Sequence, residues 1–267
     1  MKTTYQMIGP KGRQLWTKLF ESRNHSHGVV ILGTGSGEIR SVDDETLEDI
    51  CVWLSDLGWS SAVYDKYGCG ESDGDWKRVT FDDLRNDLVI LADHFKEQSS
   101  GKIIILGHSE SSILAAEAAT RTNSIDALVL RVASHQDISE RIKMQLGIDK
   151  WTRWLADIEN SKVSGKMFVA SHPVSYWLSR MNRILTGDIV AMLNIPIIAL
   201  NGAEDHFTPL PAFSKIHEAI LQQKNKLNKA TVIPGVGHGL MLQSEKWNTS
   251  VVANEIQIFL TAIAMTF

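Results

Sequence analysis

The run Lys102-Ile-Ile-Ile-Leu-Gly-His-Ser-Glu-Ser111 changes character within a few residues. Lys102 to Leu106 is a short β-branched stretch suited to a buried parallel strand, and Ile113-Leu-Ala-Ala-Glu-Ala-Ala119 just beyond it is helical in composition. Gly107-His-Ser-Glu-Ser111 must therefore turn sharply from strand to helix. A serine at the apex of such a turn projects past the sheet edge and sits at a helix N-terminus, whose free N–H groups favour developing negative charge. Ser109 is placed like a nucleophile. Read alone, it is equally well an N-cap for the following helix.

The flanking sequence supplies the context. Gly28-Val-Val-Ile-Leu-Gly33 is a continuous apolar strand that runs into Thr34-Gly-Ser-Gly-Glu38. Leu47, Ile50, Cys51, Leu54 and Leu57 then recur at helical spacing, with Gly58 as the stop. Ser60-Ser-Ala-Val-Tyr-Asp65 is the next strand, Lys66 to Gly74 is a loop, and Phe81, Leu84, Leu88, Leu91 and Phe95 mark a second helix. Further strands are predicted at 126–133, 195–201 and 230–234, with helices near 211–222 and from Val252 to Ile263. Residues 3–8 and 14–20 around Gly9-Pro-Lys-Gly12 predict an antiparallel hairpin. Strands separated by helices of this length indicate βαβ units, hence an α/β fold with a mostly parallel, doubly wound sheet.

The alternation breaks over residues 135–194, a segment too long for a bare connection. Its Trp151, Trp154, Phe168, Tyr176, Trp177 and Met181 could not stay in water. The segment is expected to be a helical lid inserted in a core formed by 1–134 and 195–267. Most of its aromatics would fill the lid's own small core, and some would face the serine as an apolar pocket.

With 43% hydrophobic residues, 267 residues can bury a substantial core. A net charge of −4 without any polybasic block excludes an electrostatic footprint for nucleic acid or an anionic membrane and points to a small-molecule partner. The N-terminus lacks a signal-peptide pattern and no apolar run is long enough to span a bilayer, so the expected location is the cytoplasm. Cys51 and Cys69 are too few for a disulfide framework or a zinc site, and Cys51 reads as a core residue.

In open α/β sheets ligands bind beyond the carboxyl ends of the strands. Gly202-Ala-Glu-Asp205 follows the strand ending at Asn201, and Gly235-Val-Gly-His-Gly239 follows the strand ending near Pro234. Asp205 and His238 would then emerge at the same edge as Ser109. A serine hydroxyl needs an imidazole to take its proton, and the imidazole needs a carboxylate to hold its tautomer. His206 and His135 are alternative bases and Asp137 an alternative acid, but neither histidine has the Gly-His-Gly setting after the last strand. Glu110 and Glu204 read as structural or solvated.

The order serine, aspartate, histidine, each directly after a strand, resembles the α/β-hydrolase superfamily over essentially the whole chain. Gly107-His-Ser-Glu-Ser111 resembles its G-H-S-x-G elbow, and Asp65-Lys-Tyr-Gly-Cys-Gly-Glu-Ser72 its D-x-x-G-x-G-x-S loop; the run from Tyr64 to Trp76 is most similar to the esterase and serine-peptidase-like branch. The resemblance implies a Ser109, Asp205, His238 triad that hydrolyses an ester, thioester or amide through an acyl-enzyme. The alternative it leaves is a biosynthetic helper, a cyclase or ligand-binding protein using the same pocket without net hydrolysis. The implied oxyanion donors are the backbone N–H groups of Thr34 and Glu110, with Gly35 as a substitute for the first. Two departures stand out. Ser111 occupies the elbow's second glycine position, and Gly33-Thr-Gly-Ser-Gly37 replaces the usual His-Gly loop. No metal or organic cofactor is expected, since that loop lacks the register and the lysine of phosphate-binding loops.

Overall fold

Short apolar runs and amphipathic helices alternate along the chain. The computed structural model, which describes residues 1–24, 26–164, 168–169, 172–241 and 246–266, folds them into a sheet with helices on both faces. Strands β1 (Thr3–Ile8) and β2 (Leu15–Phe20) form the antiparallel hairpin. Then come β3 (Gly28–Gly33), α1 (Glu45–Asp56), β4 (Ser60–Tyr64), α2 (Phe81–Gln98), β5 (Lys102–His108), α3 (Glu110–Ala118) and β6 (Ala127–Arg131). The chain next leaves the sheet through α4 (Ile138–Leu146), α5 (Ile148–Ser164), β7 (Phe168–Val169), β8 (His172–Pro173), α6 (Val174–Arg180) and α7 (Thr186–Met192). It returns with β9 (Ile197–Gly202), α8 (Leu210–Gln222), β10 (Lys229–Ile233) and α9 (Val251–Ala264).

Among the described residues the strand order is β1-β2-β4-β3-β5-β6-β9-β10, antiparallel at the first two pairings and parallel at the rest. From β3 the chain builds one way through β4 and the other way through β5. That switch point opens a crevice at the carboxyl ends of β3 and β5, where the Thr34 loop and Ser109 begin.

Side chains alternate across each strand, and both faces are covered, so the central strands are apolar throughout. Ile31, Ile103, Ile105, Leu128 and Leu130 pack in one core with α2, α3 and α8. Val30, Leu32, Ile104, Leu106 and Val129 pack in the other with α1 and α9. Each such side chain, fully buried, stabilises the fold by roughly 1.5–3 kcal/mol. The helices start where polar caps precede them: Asp44 accepts from the N–H of Thr46 and Leu47, and Thr80 and Asp83 form a reciprocal capping box. Cys51 is a core residue whose thiol burial pushes up to about 12.

The excursion between β6 and β9 holds the expected helices, together with the short antiparallel β7/β8 pair that the sequence reading did not include. Two-residue strands carry no periodicity to read. No helix among the described residues is long and apolar enough to cross a membrane.

Candidate active site

Ser109 stands between β5 and α3 with φ 55° and ψ −112°, a backbone conformation that side-chain-bearing residues rarely adopt. It occupies the N-cap position of α3 but makes no side-chain cap hydrogen bond, so its hydroxyl is not used as a cap. The strain is held by bonds around it: Ser109 N–H donates to Arg131 O at 2.9 Å, and Ser112 Oγ donates to Gly107 O at 2.9 Å and Arg131 O at 2.8 Å. Gly107 is required because a Cβ there would lie 2.6 Å from the Ser111 carbonyl oxygen, where α3 folds back against β5.

Ser111 is accommodated across the sheet. A Cβ on Gly33 of the neighbouring β3 would lie 2.6 Å from Ser111 Cβ, so the space usually opened by a glycine in the elbow is opened by Gly33 instead. Ser111 Oγ also donates to the Thr34 carbonyl and thereby anchors the loop after β3. Gly33→Ala alone is expected to destabilise by about 1–3 kcal/mol through overpacking. In the Ser111→Gly background the cost should shrink by about 1 kcal/mol or more in a denaturant-unfolding double-mutant cycle. Strictly additive costs would contradict this compensation.

Asp205 and His238 meet after β9 and β10. His238 Nδ1 and Asp205 Oδ2 are 2.8 Å apart, and the other carboxylate oxygen accepts from the N–H groups of Phe207 and Thr208, each at 2.8 Å. Burial opposes the charge on Asp205, but the His238 hydrogen bond and these backbone donors outweigh it and hold the carboxyl below its ordinary value. A depressed carboxylate stabilises the folded state above its unfolded value, near pH 4, and that contribution is lost as pH falls through the lower folded value. His108 lies beside His238, with ring centroids 5.3 Å apart. Burial, with Arg131 and His238 nearby, holds the His108 imidazole well below the usual histidine range and keeps it neutral. Among the described residues no hydrogen bond joins Ser109 Oγ to His238; such contacts often tighten only when substrate is bound.

Glu110, read from sequence as structural or solvated, is the centre of a buried ionic network. Its carboxylate meets Lys66 Nζ at 3.2 Å and Arg180 Nη1 at 3.3 Å, and Lys66 and Glu110 are each only 1% exposed. Tyr176 hydroxyl donates to the same carboxylate, as does Ser36 Oγ at 3.1 Å, while Lys66 also donates to the Gly35 carbonyl. Burial works against the negative charge, yet Lys66 and Arg180 hold the carboxyl below its ordinary value. The residue after Ser109 thus ties the elbow to the loop after β3 and to helix α6. No pattern in the sequence marks this cluster, since Lys66, Glu110 and Arg180 are far apart along the chain.

The other sequence candidates are engaged elsewhere. His135 Nδ1 accepts from Gly187 N–H at 3.0 Å, and Asp137 caps α4 by accepting from Ser139 N–H at 2.8 Å. His206 is exposed. Of the six pocket candidates, Trp151 stacks on Trp154, and Trp154–Trp177 and Trp177–Tyr176 meet edge to face, with ring centroids 5.0–5.2 Å apart; Trp154, Tyr176 and Trp177 are buried. Phe168 and Met181 are half-buried against the same core.

A sequence model of the family described as serine aminopeptidase, S33, matches residues 24–185, more than half of the chain. The match holds Ser109 and ends before Asp205 and His238. No curated protein sequence matches. Among solved structures, Est1E from Butyrivibrio proteoclasticus with ferulic acid bound is 18% identical, with a TM-score of 0.75 over 98% of this chain and 100% of that one. A thermostable carboxyl esterase from Bacillus coagulans in complex with glycerol is 16% identical, with a TM-score of 0.72 over 99% and 100%. The α/β-hydrolase GrgF from Penicillium sp. sh18 is 15% identical, with a TM-score of 0.70 over 98% of each chain. At these identities the structures share the fold.

Proposed function

The chain belongs to the serine aminopeptidase S33 family of α/β-hydrolases, and from that premise we propose that it is a serine hydrolase acting on an ester, thioester or amide of a small molecule through an acyl-enzyme on Ser109. The observation that carries this reading is the Asp205–His238 pair, bonded at 2.8 Å on the strand edge where Ser109 stands uncapped. His238 Nε2 takes the proton as Ser109 Oγ attacks the carbonyl carbon, while Asp205 holds Nδ1–H and stabilises the imidazolium. The N–H groups of Thr34 and Glu110 receive the oxyanion, with Gly35 as the substitute for Thr34, and the N-terminus of α3 adds its dipole. The imidazolium then protonates the leaving group. Water, deprotonated by His238, attacks the acyl-Ser109 carbonyl and releases the acid.

Residues 135–194 serve in this account as a lid. Tyr176 and Arg180 fix α6 to Glu110, next to the nucleophile. An apolar or aromatic acyl group is the substrate class that such a cover favours. Est1E is solved with an aromatic acid, which agrees with that class.

Rapid mixing with a p-nitrophenyl ester tests the proposal. A burst of nitrophenol close to one equivalent per Ser109, followed by slower turnover to the free acid, is expected where deacylation limits the rate. Release of no free acid from esters, thioesters or anilides of acetyl, octanoyl and aromatic acyl groups would instead favour a helper protein that uses the pocket without net hydrolysis.

A further inference from the structure

Beside the catalytic crevice, on the α1 and α9 face of the sheet, lies a cavity of about 360 Å³ that shares the loop of Thr34 and Gly35 with the proposed oxyanion site and whose remaining walls the proposed chemistry does not use. It is near the lower end of the roughly 300–1,000 Å³ typical of small-molecule sites. Its walls are mostly apolar, with Ile39, Leu47, Leu106 and Met241 among them; Asp44, whose carboxylate caps α1, also lines it, and Thr34 and Gly35 lie on the side towards Ser109. His108 and Arg131, register partners at the carboxyl ends of β5 and β6, also line it.

Arg131 is the anomaly. It is 7% exposed, yet no carboxylate lies within ion-pair distance of it among the described residues. Among the described residues its side-chain partners are the Gly239 carbonyl, through one long hydrogen bond from Nη2 at 3.4 Å, and the face of Trp247, 4.8 Å from the guanidinium carbon to the ring centroid, with the neutral His108 nearby. A buried cation without a counter-ion is costly. Burial pushes the guanidinium down to about 10, which leaves it cationic at neutral pH. Arg131 Nε, Trp247 Nε1 and His108 Nδ1 are all buried and lack hydrogen-bond partners, and all three residues line this one cavity. The first two are donors, and native proteins rarely leave such groups unpaired.

We infer that this cavity binds a small monocarboxylate with an apolar body, the carboxylate paired with the Arg131 guanidinium and the body lying against Ile39, Leu47 and Leu106. A carboxylate supplies the missing negative charge beside the Arg131 guanidinium, and the mostly apolar walls require the rest of the ligand to be hydrocarbon or aromatic. Such an acid is either the product that hydrolysis releases or a free acid from another source.

Calorimetric titration of octanoate and of 1-octanol into Ser109→Ala protein tests the site independently of hydrolysis. Octanoate should bind one-to-one, and Arg131→Met should weaken it by at least about tenfold, the loss expected for a charge-assisted hydrogen bond. 1-Octanol should bind more weakly than octanoate and be indifferent to Arg131→Met. Leu47→Trp, which fills the cavity and keeps the arginine, should abolish binding of both, and it decides the matter if Arg131→Met does not fold. No octanoate binding at about 10 mM, a Kd above that of ordinary metabolite sites, overturns the inference. So does binding that both variants leave unchanged, or equal affinity for the alcohol. With wild-type protein, inhibition of p-nitrophenyl ester hydrolysis by octanoate identifies a product acid, and binding without inhibition identifies a free acid from another source.

Discussion

Ser109→Ala and His238→Ala should each lower kcat on an activated ester by on the order of 10⁵–10⁶-fold, and the double variant should lose little more, because residues that act as a unit are not additive. Asp205→Asn should cost less, on the order of 10⁴-fold, since it leaves the base in place but in the wrong tautomer. The ranking follows from the geometry. Among the described residues the Asp205 carboxylate hydrogen-bonds Nδ1 of His238 through one oxygen and two backbone donors through the other, so it acts through the imidazole. Multiplying losses in the double variant, or full activity in His238→Ala, would show that the three side chains do not work together.

Glu110→Gln should be the most damaging substitution outside that trio. It leaves Lys66 and Arg180 buried without their shared anion, and breaking a buried ionic pair by removing one partner costs about 3–5 kcal/mol. For a chain of this size that is a fall in Tm on the order of 10 °C. Lys66→Met in the Glu110→Gln background should recover part of the loss, because it removes one of the stranded cations. Turnover should fall as well, since Glu110 N–H is the proposed second oxyanion donor and its side chain fixes that turn against the loop carrying Gly35. A thermal shift equivalent to less than about 1 kcal/mol would mean that water reaches the network and screens it.

The fold was legible because it rests on local, periodic signals. The β-branched run Lys102 to Leu106 and the small-residue helix after it needed no tertiary information, and neither did the spacing of later strands that brings Asp205 and His238 to one edge. The two readings of Ser109 could not be separated that way; the missing side-chain cap bond removes the capping reading, and the nucleophile is the role proposed for it. Other features depend on partners distant in sequence. Glu110 reads as an ordinary helix-start acid until Lys66 and Arg180 are seen against it, and Ser111 looks like a defect until Gly33 is found opposite. Arg131 was a missed signal of a different kind. A cation at the end of the apolar run Ala127 to Leu130, in a strand buried on both faces, already marks a position needing an anionic or aromatic partner.

Intact-protein mass spectrometry after exposure to a small fluorophosphonate tests the central claim most directly. The reagent phosphonylates a serine oxygen activated by a neighbouring base and displaces fluoride, so labelling reports the nucleophile without requiring the natural substrate. The account predicts one adduct per chain on wild-type protein, located on the peptide that carries Ser109, none on Ser109→Ala, and strongly slowed labelling of His238→Ala. Stoichiometric labelling of folded Ser109→Ala, or an inert wild-type protein, would contradict it.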